Sequence, residues 1–126
     1  MRTVDYVILY VHDLDRAVAF YRDTLRLEHR FTRDGYAEFA TGQTKFGLLD
    51  RSRAQDLLAR PARRTGDPAG EVLFLVDDLR DEVARLKKAG VEILSGPEDR
   101  SWGHRTLHLL DPEGHVVELA QEIARQ

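Results

Sequence analysis

Residues 11–21 read VHDLDRAVAFY, and residues 76–86 read VDDLRDEVARL. Laid over each other, Val11 and Val76, Asp13 and Asp78, Leu14 and Leu79, Val18 and Val83, and Ala19 and Ala84 coincide at a constant offset of 65 residues. An offset of half the chain marks a duplication, not a solenoid period. In each copy an apolar run (residues 7–11 and 72–76) stops at an aspartate and a helical pattern begins. Asp13 and Asp78 suit the N-cap, because a carboxylate there accepts from unpaired N–H groups of the first turn. The spacing predicts that the first helix buries Leu14, Ala17, Val18, Tyr21 and Leu25, and the second Leu79, Val83, Leu86 and Ala89. Gly90 suits a C-cap, with Lys87 and Lys88 where a helix C-terminus favours cations.

Working outward, three strand-like runs follow each helix. They are residues 27–32, 36–41 and 45–50 in the first copy, and 91–94, 105–110 and 115–120 in the second. Asp34-Gly35, Gly42 and Asp111-Pro-Glu-Gly114 supply turn signals between them. Each copy therefore reads βαβββ. The expected fold class is α+β: two βαβββ modules forming a curved mixed sheet, helices on the outer face and an open cup inside. The expected organisation is a single domain over 1–126, with module 1 at 1–50, a linker at 51–70 and module 2 at 71–126. In the linker a helical turn or two ends before Pro61, and a loop contains Thr65, Gly66, Asp67 and Pro68.

The composition agrees. The 126 residues are 42% hydrophobic and 33% charged, enough for one core without a disulfide or structural metal. No cysteine is present, which excludes a disulfide framework, Cys-ligated metal and a thiol nucleophile. No apolar run approaches the ~20 residues of a membrane span, and Asp5 interrupts the one segment resembling a signal peptide. A cytoplasmic protein that engages no membrane is expected. The net charge of −3 with scattered positive residues is not the footprint of a nucleic-acid binder. Arg51, Arg53, Arg60, Arg63 and Arg64 read as a solvated linker face.

One helix covers one face of each sheet, so the other face is a cavity or an interface. Strand alternation assigns the side chains. A tight turn at 111–114 pairs Leu110 with His115 and Leu107 with Glu118. Arg105, Leu107, Leu109, Val116 and Glu118 then share the open face, and His108 goes beneath the helix. A mid-strand glutamate suits that wet face, since an unpaired buried charge is costly. In the first copy, pairing across Thr41–Thr44 sets Glu38 opposite Gly47, with Phe39 and Phe46 under the helix. Tyr6, Ile8 and Tyr10 face the cup, as do Glu71, Leu73 and Leu75. The expected ligand-binding set is Tyr6, Tyr10, Glu38, Glu71, Trp102, Arg105, Leu107 and Glu118.

These residues carry a family resemblance. The paired modules, with Val11, Asp13, Leu14, Phe20 and Tyr21 in the first, resemble the vicinal oxygen chelate superfamily of glyoxalase I, extradiol dioxygenases and the fosfomycin- and bleomycin-resistance proteins. Trp102-Gly103, Arg105, Asp111-Pro-Glu-Gly114 and Val117-Glu118-Leu119 are similar to its common C-terminal motif. The resemblance covers essentially the whole chain and specifies fold better than reaction. It implies metal positions at Tyr6, Gly47, Glu71 and Glu118. Only Glu118 is of the expected type, and two carboxylates with a phenol make a poor site for zinc or iron. It also implies a homodimer whose cups are completed across a two-fold axis.

Among the histidines, His12, His29 and His115 read as surface residues and His108 as a core residue. His104, beside Trp102 and Arg105, is the functional candidate. No nucleophile–base pair is evident, though Glu38, Glu71 and Glu118 can raise one another's pKa and serve as acids or bases. The features favour a metal-free binding protein of the bleomycin-resistance type, with no metal, cofactor or catalytic residue. It would sequester a small basic or aromatic ligand, a drug or a metabolite, against its acidic and aromatic cup. Two alternatives stand beside it: a divalent-metal-dependent lyase, isomerase or dioxygenase with altered ligands, and a structural or partner-binding module.

Overall fold

A computed structural model describes every residue except 64, 65, 67 and 126. The expected loop at 65–68 and Arg64 of the basic stretch thus fall largely outside the described residues. The chain divides into two compact units, Met1–Thr65 and Gly66–Gln126.

The first unit runs β1 (Tyr6–Val11), α1 (Leu14–Ala19, extended by a π-helical turn at Phe20–Thr24), β2 (Glu28–Arg33), β3 (Tyr36–Ala40), β4 (Lys45–Asp50) and α2 (Arg51–Leu58). Its four-stranded sheet has the order β1-β4-β3-β2, with β1 parallel to β4 and the other pairs antiparallel. The second unit repeats the plan with β5 (Glu71–Leu75), α3 (Leu79–Lys88), β6 (Ile93–Arg100), β7 (His104–Leu110) and β8 (Val116–Glu122). Its order is β5-β8-β7-β6, with β5 parallel to β8. The duplication read in the sequence is therefore a duplication of topology: two α+β modules, each a mixed sheet with its crossover helix.

Each sheet buries the face toward its helix. In the first unit Val11, Ala37, Phe39, Phe46 and Leu48 are buried with Ala17, Val18 and Tyr21 of the helix. The Tyr21 ring packs 4.9 Å from that of Phe46. The π turn closes with Leu25 N–H donating to Phe20 O, five residues back, so the helix ends one turn wider than a regular α-helix. In the second unit Leu79 and Leu86 of α3 cover Leu107, Leu109, Val117 and Leu119.

Both aspartates cap as their positions suggest. Asp13 Oδ1 accepts from Arg16 N, and Asp78 Oδ1 from Arg80 N at 3.0 Å and Asp81 N at 3.4 Å. Asp78→Ala is expected to destabilise the protein by about 1 kcal/mol in urea unfolding. A loss below about 0.3 kcal/mol would show that water replaces the cap.

Ala89, expected to be buried by the second helix, is exposed at its C-terminal end, and two larger features also depart from the sequence reading. The strand β6 runs six residues beyond the expected end at Leu94, through Gly96-Pro97. Proline is tolerated there because β6 is the edge of its sheet, where one side of the ladder has no partner strand. The β7–β8 register is also shifted. Leu110 pairs with Val116, Leu109 with Val117, His108 with Glu118, and Leu107 with Leu119. The connection is five residues, because Asp111 Oδ1 accepts from both Glu113 N and His115 N, and Asp111 N donates to His115 O. A one-residue slip moves every side chain of a strand to the other face. Leu107 accordingly lies fully buried beneath α3, not in the ligand set. Arg105 shares its side: it forms an ion pair with Asp99 and feels the charge of Asp78 at the α3 N-cap. His108 moves the opposite way.

Candidate functional site

The face of the second sheet turned away from α3 carries Glu71 on β5, Glu118 on β8 and His108 on β7. Alternation along three strands fixes their common side: Leu73 lies beside Glu118 in the parallel pair, and His108 lies opposite Glu118 in the antiparallel one. His108 Nε2 stands 3.2 Å from Glu118 Oε1 and 3.6 Å from Glu71 Oε1. One donor atom from each residue lies within 4.8 Å of the others. The Glu118 side chain is only 11% exposed, while that of Glu71 is 41% exposed and reaches solvent.

Burial pushes the Glu118 carboxyl up to about 7, helped by its hydrogen bond to Glu71 and by that neighbour's charge; Arg100 opposes the rise. The Glu118 carboxyl thus holds its proton to higher pH than an ordinary glutamate does. On the far side of the ring, His108 Nδ1 lies 3.4 Å from Ser95 Oγ on β6.

The first unit shows what became of the equivalent positions. Ile8 pairs with Gly47 as Leu73 pairs with Glu118, and Glu38 pairs with Gly47 as His108 pairs with Glu118. Gly47 thus corresponds to Glu118, Glu38 to His108, and Tyr6 to Glu71. A Cβ at Gly47 would lie 2.5 Å from the Tyr36 ring, which fills the space a ligating side chain would need. Tyr36 Oη donates to Glu38 Oε1 at 2.9 Å, and Arg30 forms an ion pair with the other carboxylate oxygen. Burial and the Glu38 charge push the Tyr36 phenol upward. Glu38 is buried and satisfied by these two partners.

The expected site residues therefore separate. Glu71 and Glu118 converge in the second unit. Tyr6 is exposed and Tyr10 half-buried on β1 of the first unit, where Glu38 is buried against Tyr36 and Arg30. Trp102 is exposed in the β6–β7 turn, with the Arg100 guanidinium 6.0 Å from its ring centroid. His104 pairs with Arg100 at the start of β7, away from the cluster. His108 is the residue that sequence reasoning misplaced. Its signal was the acceptor power of Asp111, which lengthens the turn and changes the strand's phase.

The implied four-residue metal set does not fit: Gly47 has no donor and is covered, and Tyr6 offers only an exposed phenol. A set of one imidazole and two carboxylates within one unit does fit a divalent cation, and its members are Glu71, His108 and Glu118.

Residues 3–119 match the family described as the Glyoxalase/Bleomycin resistance protein/Dioxygenase superfamily. The chain is 30% identical over 117 residues to the uncharacterized protein YraH of Bacillus subtilis (strain 168), covering 88% of this chain and 91% of that protein. A glyoxalase/bleomycin resistance protein/dioxygenase family enzyme from Burkholderia phytofirmans PsJN superposes with a TM-score of 0.85 at 20% identity, over 97% of this chain and 100% of that one. A lactoylglutathione lyase from Agrobacterium tumefaciens does so with a TM-score of 0.73 at 24% identity, over 94% and 92%. At such identities the two structures establish the shared fold.

Proposed function

The chain belongs to the glyoxalase/bleomycin resistance protein/dioxygenase superfamily, and from that premise we propose that it binds a divalent cation through Glu71, His108 and Glu118 and holds a small oxygen-bearing molecule against it. The observation that carries this reading is the convergence of the three donors. Neighbouring ligands around an ion with bonds of about 2.0–2.2 Å lie roughly 3.0–3.5 Å apart. The 3.2 Å separation of His108 Nε2 from Glu118 falls within that spacing and the 3.6 Å separation from Glu71 lies just beyond it. One nitrogen and two carboxylate oxygens suit Mn²⁺, Co²⁺ or Zn²⁺. This departs from the metal-free expectation because His108, assigned beneath the helix, stands on the face with the glutamates.

A cation held by these three residues would supply Lewis acidity toward a substrate oxygen. The chain's own residues do the rest. Glu118 would ligate as the carboxylate, its proton passing to solvent, and its burial would keep water from competing for that oxygen. Glu71, at the solvent edge, would ligate through one carboxylate oxygen and leave the other to accept a proton from a bound molecule.

Titration of the purified protein with Mn²⁺ and Zn²⁺ by calorimetry tests the reading. His108→Ala is expected to weaken binding more than about 100-fold, since loss of a ligand exceeds the 10–100-fold typical of a supporting residue. Equal affinity in the variant and the unaltered protein would refute the site.

One observation favours a second reading, the metal-free sequestration of a basic or aromatic molecule. The Tyr36 ring fills the space that a side chain at Gly47 would need, and the adjacent Glu71 and Glu118 carboxyls can receive an organic cation as well as an inorganic one. Silence toward both metals, with saturable quenching of Trp102 fluorescence by a basic aromatic dye, is the outcome that would select it.

A further inference from the structure

The strand β6 is irregular where it passes His108. Ile93 pairs with Leu109, and an unbroken ladder would set Leu94 against His108 next; a bulge sets Ser95 there instead. Leu94 is turned to solvent, and Ser95 Oγ comes within 3.4 Å of His108 Nδ1. The path is held just beyond by Gly96, at φ +96°, where any Cβ would meet the Thr106 carbonyl oxygen. Bulges beside functional sites commonly re-aim a side chain. Here the bulge exchanges an apolar neighbour of the imidazole for a hydroxyl.

We infer that Ser95 is a positioning residue for His108, a partner on Nδ1 that serves both states of the ring. The inference rests on the cation site proposed above. A neutral imidazole carries one N–H and one lone pair. When Nε2–H donates to Glu118, Nδ1 is an acceptor and the Ser95 hydroxyl donates a hydrogen bond to it. When Nε2 ligates a cation, its lone pair points to the ion, the ring proton sits on Nδ1, and Ser95 Oγ accepts from it. One proton leaves Nε2 and one is taken up at Nδ1, both exchanged with solvent, so the ring gains none. Ser95 keeps its own proton and only rotates. A methyl group at 95 supports neither state, whereas a backbone carbonyl would support only the second.

The test is a long-range ¹H–¹⁵N spectrum of the full chain labelled on histidine, without metal and with Zn²⁺. Zinc affinities are measured alongside for the unaltered protein, Ser95→Ala and Ser95→Thr. In the unaltered protein the His108 proton is expected on Nε2 without metal and on Nδ1 with zinc. Ser95→Ala is expected to shift the His108 Nδ1 resonance in the metal-free protein and weaken zinc binding about tenfold, with an unchanged unfolding curve. Ser95→Thr is expected to restore both. An unmoved Nδ1 resonance with unaltered affinity in Ser95→Ala overturns the inference, as does failure of Ser95→Thr to rescue. If the unaltered protein takes no zinc, the proposed function falls, and the metal-free spectrum still decides the role of Ser95 by itself.

Discussion

Gly96→Ala is expected to lower the stability of the protein by about 4 kcal/mol and its melting temperature by more than about 10 °C. Two independent costs add. The backbone at φ +96° is one that L side chains rarely adopt, worth roughly 1–3 kcal/mol of strain. The new Cβ would also lie 2.3 Å from the Thr106 carbonyl oxygen and 3.1 Å from Leu107 Cα. These are backbone atoms of a buried strand and cannot swing aside, so β6 must separate from β7. Gly42→Ala is the control, since its φ is +87° with nothing within 4 Å of the added carbon. It should lose about 1 kcal/mol, the conformational part alone. Equal losses in the two variants, read by thermal and urea unfolding, would show that the β6–β7 contact gives way freely.

The second large effect is a dependence of stability on pH that Glu118→Gln removes. Burial pushes the Glu118 carboxyl up to about 7 in the folded protein, from the ordinary glutamate value of 4.5 that applies when unfolded. Between those values the folded protein holds more protons than the unfolded chain, so stability falls as pH rises, and it levels off above the folded value. A shift of this size corresponds to about 3 kcal/mol, reduced to about 2 by solvent around the half-exposed Glu71. Glutamine mimics the protonated acid at every pH. The difference in unfolding free energy between Glu118→Gln and the unaltered protein should therefore be near zero at pH 4.5 and favour the variant by about 2 kcal/mol at pH 8. A difference that stays constant with pH would place the ionisation elsewhere. The same variant should bind divalent cations poorly, so stability and ligation are opposed at this one side chain.

Much of this was legible in the residues. The Asp13 and Asp78 caps, the apolar runs before them and the 65-residue offset determine two equivalent modules, because capping and periodicity are local. Glu38 opposite Gly47 and the phenylalanines beneath α1 were also correctly phased, since the Thr41–Thr44 connection is as short as it looks. The candidate site was half legible: Glu71 and Glu118 came from strand alternation, but His108 did not. Its face depends on the length of one turn, and that length is set by Asp111 gathering two backbone N–H groups, which composition does not reveal. Leu107 and Arg105 were misplaced by the same slip. The roof over Gly47 escaped notice for another reason: Tyr36 and Arg30 meet Glu38 across strands, and no linear pattern marks such a meeting.

That roof has a practical consequence. With Tyr36 laid over Gly47 and Glu38 tied to Arg30, the first unit carries its own permanent occupant at the position where the second presents donors to solvent. The position equivalent to Glu118 is thus closed by the chain itself, and any side chain placed at 47 must first displace the Tyr36 ring.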